Sequence, residues 1–446
     1  MTDAATLPPA AARPGRGLLR VLGVAFGVAV IVGNTIGSGI MRTPGDVAAR
    51  LPSPGLFMAA WVAGGIYALL GVASLAELGV LFPRSGGQYV YARETFGEYA
   101  GFVIGWTDWI SSCAALAAVA VVCAGLAGGL LPALAGHDAI VAGVAVVAFV
   151  LLQWRGVSWG DRTQRLTTVL KALAFVALVA AAYLAGPRPA AATVAAPPHA
   201  VVGIGAVVLA MQAVIYTYDG WNGMLYFSGE VRDPGRDLPR SMFAGVAGVI
   251  VIYLLVNAAF LHVLGIAGLA GTDFAAGTAA AAMFGPGGDA VVRAVMLVSL
   301  LSSLNALALM ASRIPYAMGC DGLLPAWSRH VNPGGTPTAT LAASALLSLG
   351  LIATGTFESI IAIAAFFFVL QYVVSFLAVF VLRRRRPDAP RPYRAIGYPV
   401  TTAISLLGGI AFLVAAAVQD RRNTLVALAV LAASWPAYRL VRRAWG

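Results

Sequence analysis

The residues with the most capacity for chemistry fall inside apolar segments. Gly33-Asn34-Thr35-Ile36-Gly37-Ser38-Gly39-Ile40 interrupts an apolar run that begins at Val21. Three glycines in seven residues, with Asn34, Thr35 and Ser38 among them, oppose continuation of a helix, because each glycine in a helix interior costs roughly 1 kcal/mol relative to alanine. In hydrocarbon the backbone groups freed by such a break need partners, so it persists only inside protein or beside a water-filled cavity. Two uses fit. The exposed peptide dipoles can bind something small and polar, or the small residues can let helices pack closely. A second interruption, Tyr216-Thr217-Tyr218-Asp219-Gly220-Trp221-Asn222-Gly223, follows the apolar stretch from Val201 to Ile215. Lys171, the only lysine beside 28 arginines, lies within a third. An ionisable group there costs on the order of 2.5–3.5 kcal/mol on insertion, which makes a functional role the default. Snorkelling to the interface is the alternative.

Other ionisable groups are less central. Glu77, Asp108 and Glu358 fall near the ends of apolar segments, where interfacial or gate-stabilising roles are expected. Glu230 and Asp233 stand with Arg232, Arg236 and Arg240, a cluster expected to brace one face. The four histidines are scattered without ligand spacing, so neither a metal site nor a cofactor is expected. Cys113, Cys123 and Cys320 read as small packing residues.

The elements that must position these residues are membrane spans. The chain is 60% hydrophobic and 11% charged, with mean hydropathy +0.86. That composition excludes a soluble domain. About twelve helical spans are expected, at 21–49, 54–82, 98–131, 138–156, 164–185, 201–228, 242–266, 287–318, 337–355, 357–382, 398–418 and 424–443. Residues 1–20 read as a tail before the first span. Placing that tail in the cytoplasm puts 22 of the 28 arginines on the same side, so both termini are expected to be cytoplasmic. The net charge of +11 is therefore orientation chemistry and implies no nucleic acid. The run Arg383 to Arg386 should face anionic lipid.

The two interruptions lie in the first and sixth spans. Five spans per unit makes the second unit run in the opposite direction, and paired interrupted segments of this kind point to a transporter's substrate site. Residues 21–190 and 201–382 are then the two units, and 383–446 carries a basic loop and two extra spans.

At this level the sequence resembles the amino acid–polyamine–organocation superfamily of secondary transporters, near its L-type amino acid transporter branch. Five segments carry the resemblance in order: Gly33 to Ile40, Glu77 to Tyr91, Asp219 to Pro239, Ser312 to Pro325 and Arg383 to Arg394. The resemblance implies the all-α fold of the bacterial leucine transporter, with two inverted repeats of five helices and two more helices. It implies that amides of Gly37, Ser38 and Gly39, with the Ser38 hydroxyl, hold an amino acid carboxylate, which also suits a helix N-terminus. Carbonyls of Thr35, Ile36, Tyr216 and Asp219 would accept from the ammonium. Tyr216 would close over the substrate as a gate, and Tyr218 falls in the same segment. Asp219 would bind a cationic side chain or brace the break. Lys171 would stand where sodium-coupled relatives hold Na⁺ and bridge the first break to the eighth helix at Ser302 or Ser303. No cysteine lies between Leu131 and Asp138, so no disulfide-linked partner chain is expected.

The function expected is a sodium-independent permease of the cell membrane, moving neutral amino acids by alternating access through exchange or proton symport. A cationic amino acid or polyamine antiporter and a nutrient sensor on the same fold are the alternatives. A membrane enzyme would need a nucleophile with a base, or a metal constellation. Neither converges in the sequence.

Overall fold

The computed structural model describes residues 17–187, 202–354 and 357–445; the side chains of 357–362 and 444–445 are also outside the description. Arg13 and Arg16 of the tail, the start of the sixth expected span and the Glu358 side chain thus lie outside the described residues. The rest is helical. In chain order the helices are α1 (Val24–Thr35), α2 (Gly39–Arg50), α3 (Pro54–Leu81), α4 (Gln88–Phe96), α5 (Glu98–Leu130), α6 (Asp138–Trp154), α7 (Val157–Ala185) and α8 (Ile204–Thr217). They continue as α9 (Pro234–Leu269), α10 (Ala275–Phe284), α11 (Gly288–Cys320), α12 (Thr338–Thr354), α13 (Phe357–Arg385), α14 (Val400–Gln419) and α15 (Arg421–Trp445). Among the described residues, eight helical segments are long and apolar enough to cross a membrane, nine counting the bent pair α1–α2 as one span. Three shorter apolar helices, α6, α8 and α12, stand where the remaining spans are expected.

The first glycine cluster bends the chain. α1 ends as Ile36 N–H closes on Val32 O at 3.1 Å, and α2 restarts at Gly39 at 52° to it. Gly33 also serves packing: a Cβ there would lie 2.0 Å from Gln164 Nε2 on α7. The second break differs in kind. α8 stops at Thr217, and the chain continues through a turn at Gly220 (φ +109°) into a 3-10 stretch, Gly223–Glu230, where an α-helix to 228 is expected from the sequence. Only a glycine takes that backbone without strain. Two short helices, α4 and α10, fall between expected spans.

α5 and α11 pack along much of their length, as do α3 and α9, and α1 lies against α7, α9 and α11. The chain before α1 is pinned to the end of the second break by two backbone bonds: Leu22 N–H to Glu230 O and Arg232 N–H to Leu22 O, both 3.0 Å. Beneath this junction lies a fully buried ion pair. Arg313 of α11 donates to Glu230 through Nε (3.1 Å) and Nη2 (3.0 Å), and both side chains have zero exposure. Glu230 therefore does not belong with Arg232, Arg236 and Arg240 as its sequence neighbourhood implies; the helix crossing brings it a partner 83 residues away. Glu77 is likewise buried and receives Arg383 (2.6 and 2.8 Å), Arg391 (3.0 Å) and the amide of Ala395 (2.7 Å).

Removing one partner of a buried pair leaves an uncompensated charge, at a cost of about 3–5 kcal/mol. Arg313→Ala is expected to lower the thermal unfolding midpoint in detergent sharply, whereas Arg313→Met with Glu230→Leu recovers most of the loss. A midpoint unmoved by Arg313→Ala would show that the pair is dispensable.

Candidate substrate cavity between two helix breaks

The first break leaves carbonyls without helical partners, and side chains from three other helices take them. Lys171 of α7 is fully buried, and its Nζ donates to Gly33 O (2.7 Å), Ile36 O (2.6 Å) and Ser303 Oγ of α11 (3.4 Å). Those three acceptors match the three N–H bonds of an ammonium. Ser303 Oγ donates to Gly33 O (2.7 Å) and Ser299 Oγ to Ile36 O (2.9 Å). The Tyr253 hydroxyl of α9 lies between Thr35 O (2.8 Å) and Thr217 O (2.9 Å), joining the two breaks. Asn34 Nδ2 adds a second link, donating to Gly220 O at 3.2 Å.

The amide side of the same break is open. The N–H groups of Gly37, Ser38 and Gly39 reach no acceptor among the described residues, and all three residues line a cavity of about 180 Å³. Its other walls are Tyr216, Thr217, Asp219 and Gly220 from the second break, Ser112 of α5, Ser303 and Met310 of α11, and Phe368 of α13. Unpaired N–H groups at a helix start favour an anionic group. Asp219 offers a carboxylate, though the Tyr372 hydroxyl already donates to it at 2.5 Å. Tyr216, 46% exposed, borders both this cavity and an adjoining aromatic recess that contains Tyr67, Trp221 and Tyr372.

Several sequence-level expectations are corrected here. The carbonyl of Ile36 is taken by both Lys171 and Ser299 and is not free for a ligand's ammonium, whereas that of Thr35 accepts one bond, from Tyr253. Tyr218 faces away from the cavity, donating to Trp61 O at 3.1 Å and packing on Tyr253. Of the two serines paired with Lys171 from sequence, Ser303 reaches it, while Ser302 bonds to Gln164 (3.1 Å) and Thr168 (3.0 Å). Asp108 is not interfacial. It is fully buried, receives the Tyr226 hydroxyl at 2.9 and 3.1 Å, and stands behind the cavity wall formed by Tyr226. With its amide oriented to satisfy its neighbours, Gln371 donates to Asp108 (3.3 Å) and Gln88 (3.1 Å). An acid three turns into an apolar run was the available signal for that network.

Residues 17–435 match the family model described as amino acid permease. The chain belongs to the amino acid permease family. Its relatives include the serine/threonine exchanger SteT of Bacillus subtilis (strain 168), 28% identical over 95% of this chain and 97% of the relative. The large neutral amino acids transporter small subunit 2 of Mus musculus is 29% identical over 87% of this chain and 76% of its own. The mouse b(0,+)-type amino acid transporter 1 is 30% identical over 84% and 79%. This permease is therefore a multi-pass membrane transporter of amino acids and not an enzyme, and its fold class is the multi-span helical one of the superfamily.

In this permease Lys171 ties the α1 end of the first break to α7 and α11, so truncating it should disturb movement of that break more than ligand contacts. Lys171→Ala is expected to lower maximal exchange by about tenfold or more, equivalent to about 1.4 kcal/mol, with little change in half-saturation. Exchange equal to wild type in proteoliposomes would remove Lys171 from the transport cycle.

Proposed function

We propose that the protein is a sodium-independent exchanger of neutral amino acids working by alternating access. The observation that carries this is the division of labour at the first break. A fixed ammonium and three hydroxyls occupy its carbonyls, and three unpaired amides face the cavity. In this reading the amides and the Ser38 hydroxyl receive the carboxylate of the substrate, and Tyr216 and Asp219 carbonyls the ammonium. Tyr216 closes the cavity. The ammonium of Lys171 fills the position a coupling sodium would need. The relatives named as exchangers and as large neutral amino acid transporters support the same class of cargo.

Residues 21–190 and 201–382 act as two inverted units in the cell membrane, with both termini in the cytoplasm as the arginine distribution favours. Arg383 is held by Glu77, Arg385 by Thr95 O and Arg386 by Glu94 and the Phe82 ring, so contact with anionic lipid falls mainly to Arg384. No covalent partner chain is required.

A second reading, transport of cationic amino acids or polyamines, rests on the Asp219 carboxylate in the cavity wall. The test uses purified protein in liposomes, with each labelled amino acid outside and unlabelled amino acids inside or absent. Uptake of neutral amino acids only with internal amino acid, unaffected by sodium, is expected. Uptake into empty vesicles that grows with an inward proton gradient would replace exchange by symport. Asp219→Asn should spare neutral uptake; selective loss of lysine or arginine uptake in that variant would establish the cationic reading. Ligand binding without any uptake would make the protein a sensor.

A further inference from the structure

Beyond the central cavity, α2 continues to Arg50 and forms one wall of a second pocket of about 430 Å³. The opposite wall is the turn Gly271-Thr272-Asp273 between α9 and α10, and Ala213 of α8 closes one side. The two walls are built against each other. Gly271 N–H donates to Gly45 O at 3.0 Å, and a Cβ on Gly45 would lie 2.0 Å from Thr272 O. Thr272 Oγ1 is fixed to Leu269 O at 2.8 Å.

Three ionic side chains line this pocket. Asp46 is matched by Arg50, with contacts of 2.8 to 3.2 Å. Arg42 and Asp273, both exposed, line the same space yet form no ion pair with each other or with any other described residue. One unmatched guanidinium, one unmatched carboxylate and the hydroxyls of Thr43 and Thr272 thus converge on a single pocket. A guanidinium recognises a carboxylate with paired hydrogen bonds, and a carboxylate accepts from an ammonium. The pair complements an α-amino acid in its zwitterionic form.

The pocket also lies next to the central one. Thr217, which lines the central cavity, donates to Thr43, which lines this pocket, at 2.9 Å. The packed helices α2 and α8 stand between the two spaces, and this bond is one of the contacts that join them.

We propose that this pocket is a second amino acid site, where the zwitterion is held by Arg42 and Asp273 on the far side of the α2–α8 contact from the central cavity. The proposal rests on the transport reading above. It assigns recognition to the backbone-attached charges alone, so the site accepts neutral amino acids whatever their side chain.

Equilibrium dialysis of the purified full-length protein with tritiated L-threonine and, separately, L-leucine tests it. Wild type is expected to bind two molecules per chain. The double variant Arg42→Gln/Asp273→Asn should bind one, and Ser38→Pro, which removes the central site, should also bind one. The charge swap Arg42→Asp/Asp273→Arg restores the second site, an outcome that a purely structural role for either residue does not give. In exchange assays each single neutralisation raises half-saturation about two- to fivefold, the range of an exposed ion pair, and leaves the maximal rate unchanged. One site in wild type that Ser38→Pro abolishes would overturn the second site while the transport reading stands. One site that survives Ser38→Pro but is lost in the Arg42→Gln/Asp273→Asn variant would uphold the second site and overturn the central one.

Discussion

A helix cannot be broken inside hydrocarbon unless every freed peptide group is met, and that requirement organises this molecule. Ending α1 at Thr35 frees the carbonyls of Gly33, Asn34, Thr35 and Ile36. Those of Gly33, Thr35 and Ile36 are taken by side chains from elsewhere: Lys171, Ser299, Ser303 or Tyr253. Restarting the helix at Gly39 frees amides, and these the protein leaves open to a cavity. The asymmetry sets the polarity of the site. The protein occupies three of the four acceptors and leaves three donors without a partner among the described residues, so the break favours the anionic end of a ligand.

A lysine suits the acceptor side for a geometric reason. Its ammonium is compact, with three donors that point apart. Gly33 O, Ile36 O and Ser303 Oγ surround it within 3.4 Å. A planar guanidinium would not fit between two carbonyls only three residues apart on a bent backbone. The ammonium therefore ties α1, α7 and α11 at one atom, and displacement of the α1 end has to break or carry those bonds.

The breaks were legible because glycine and polar residues inside apolar runs violate helix propensity and the hydrocarbon's demand for saturation together. Lys171 was legible for a related reason: a charge there has no inexpensive explanation. What escaped was whatever depends on helix rotation and on contacts far apart in sequence. Tyr216 and Tyr218 are two residues apart, so a helix turns them to opposite sides, and no composition argument says which faces the cavity. The Glu230–Arg313 pair crosses 83 residues, and local charge clustering pointed to the wrong arginines. Asp108 looked peripheral by its distance from the start of α5, but Tyr226 and Gln371, from segments more than 100 residues away, enclose it. The 3-10 character of Gly223–Glu230 has no periodicity to read.

The two ends of the broken segment are held by contacts of unequal strength, and this bears on how the cavity opens. At the α1 end, access is blocked by two backbone hydrogen bonds from Leu22 and by the buried Glu230–Arg313 pair beneath them. At the α2 end, α2 packs against α8 with Thr217 bonded to Thr43, and the Gly271 amide donates to Gly45 O. Hydroxyl and backbone bonds reform with water at little cost, whereas separating a buried ion pair leaves uncompensated charges. The buried Glu230–Arg313 pair therefore distinguishes the α1 end, and α1 yields only if the junction around Leu22 and Glu230 separates as a unit. Because Lys171 grips both Gly33 and Ile36, such a separation must be transmitted to α7 and α11. The same bonds that make the helix break tolerable in the membrane thus make it unable to move alone.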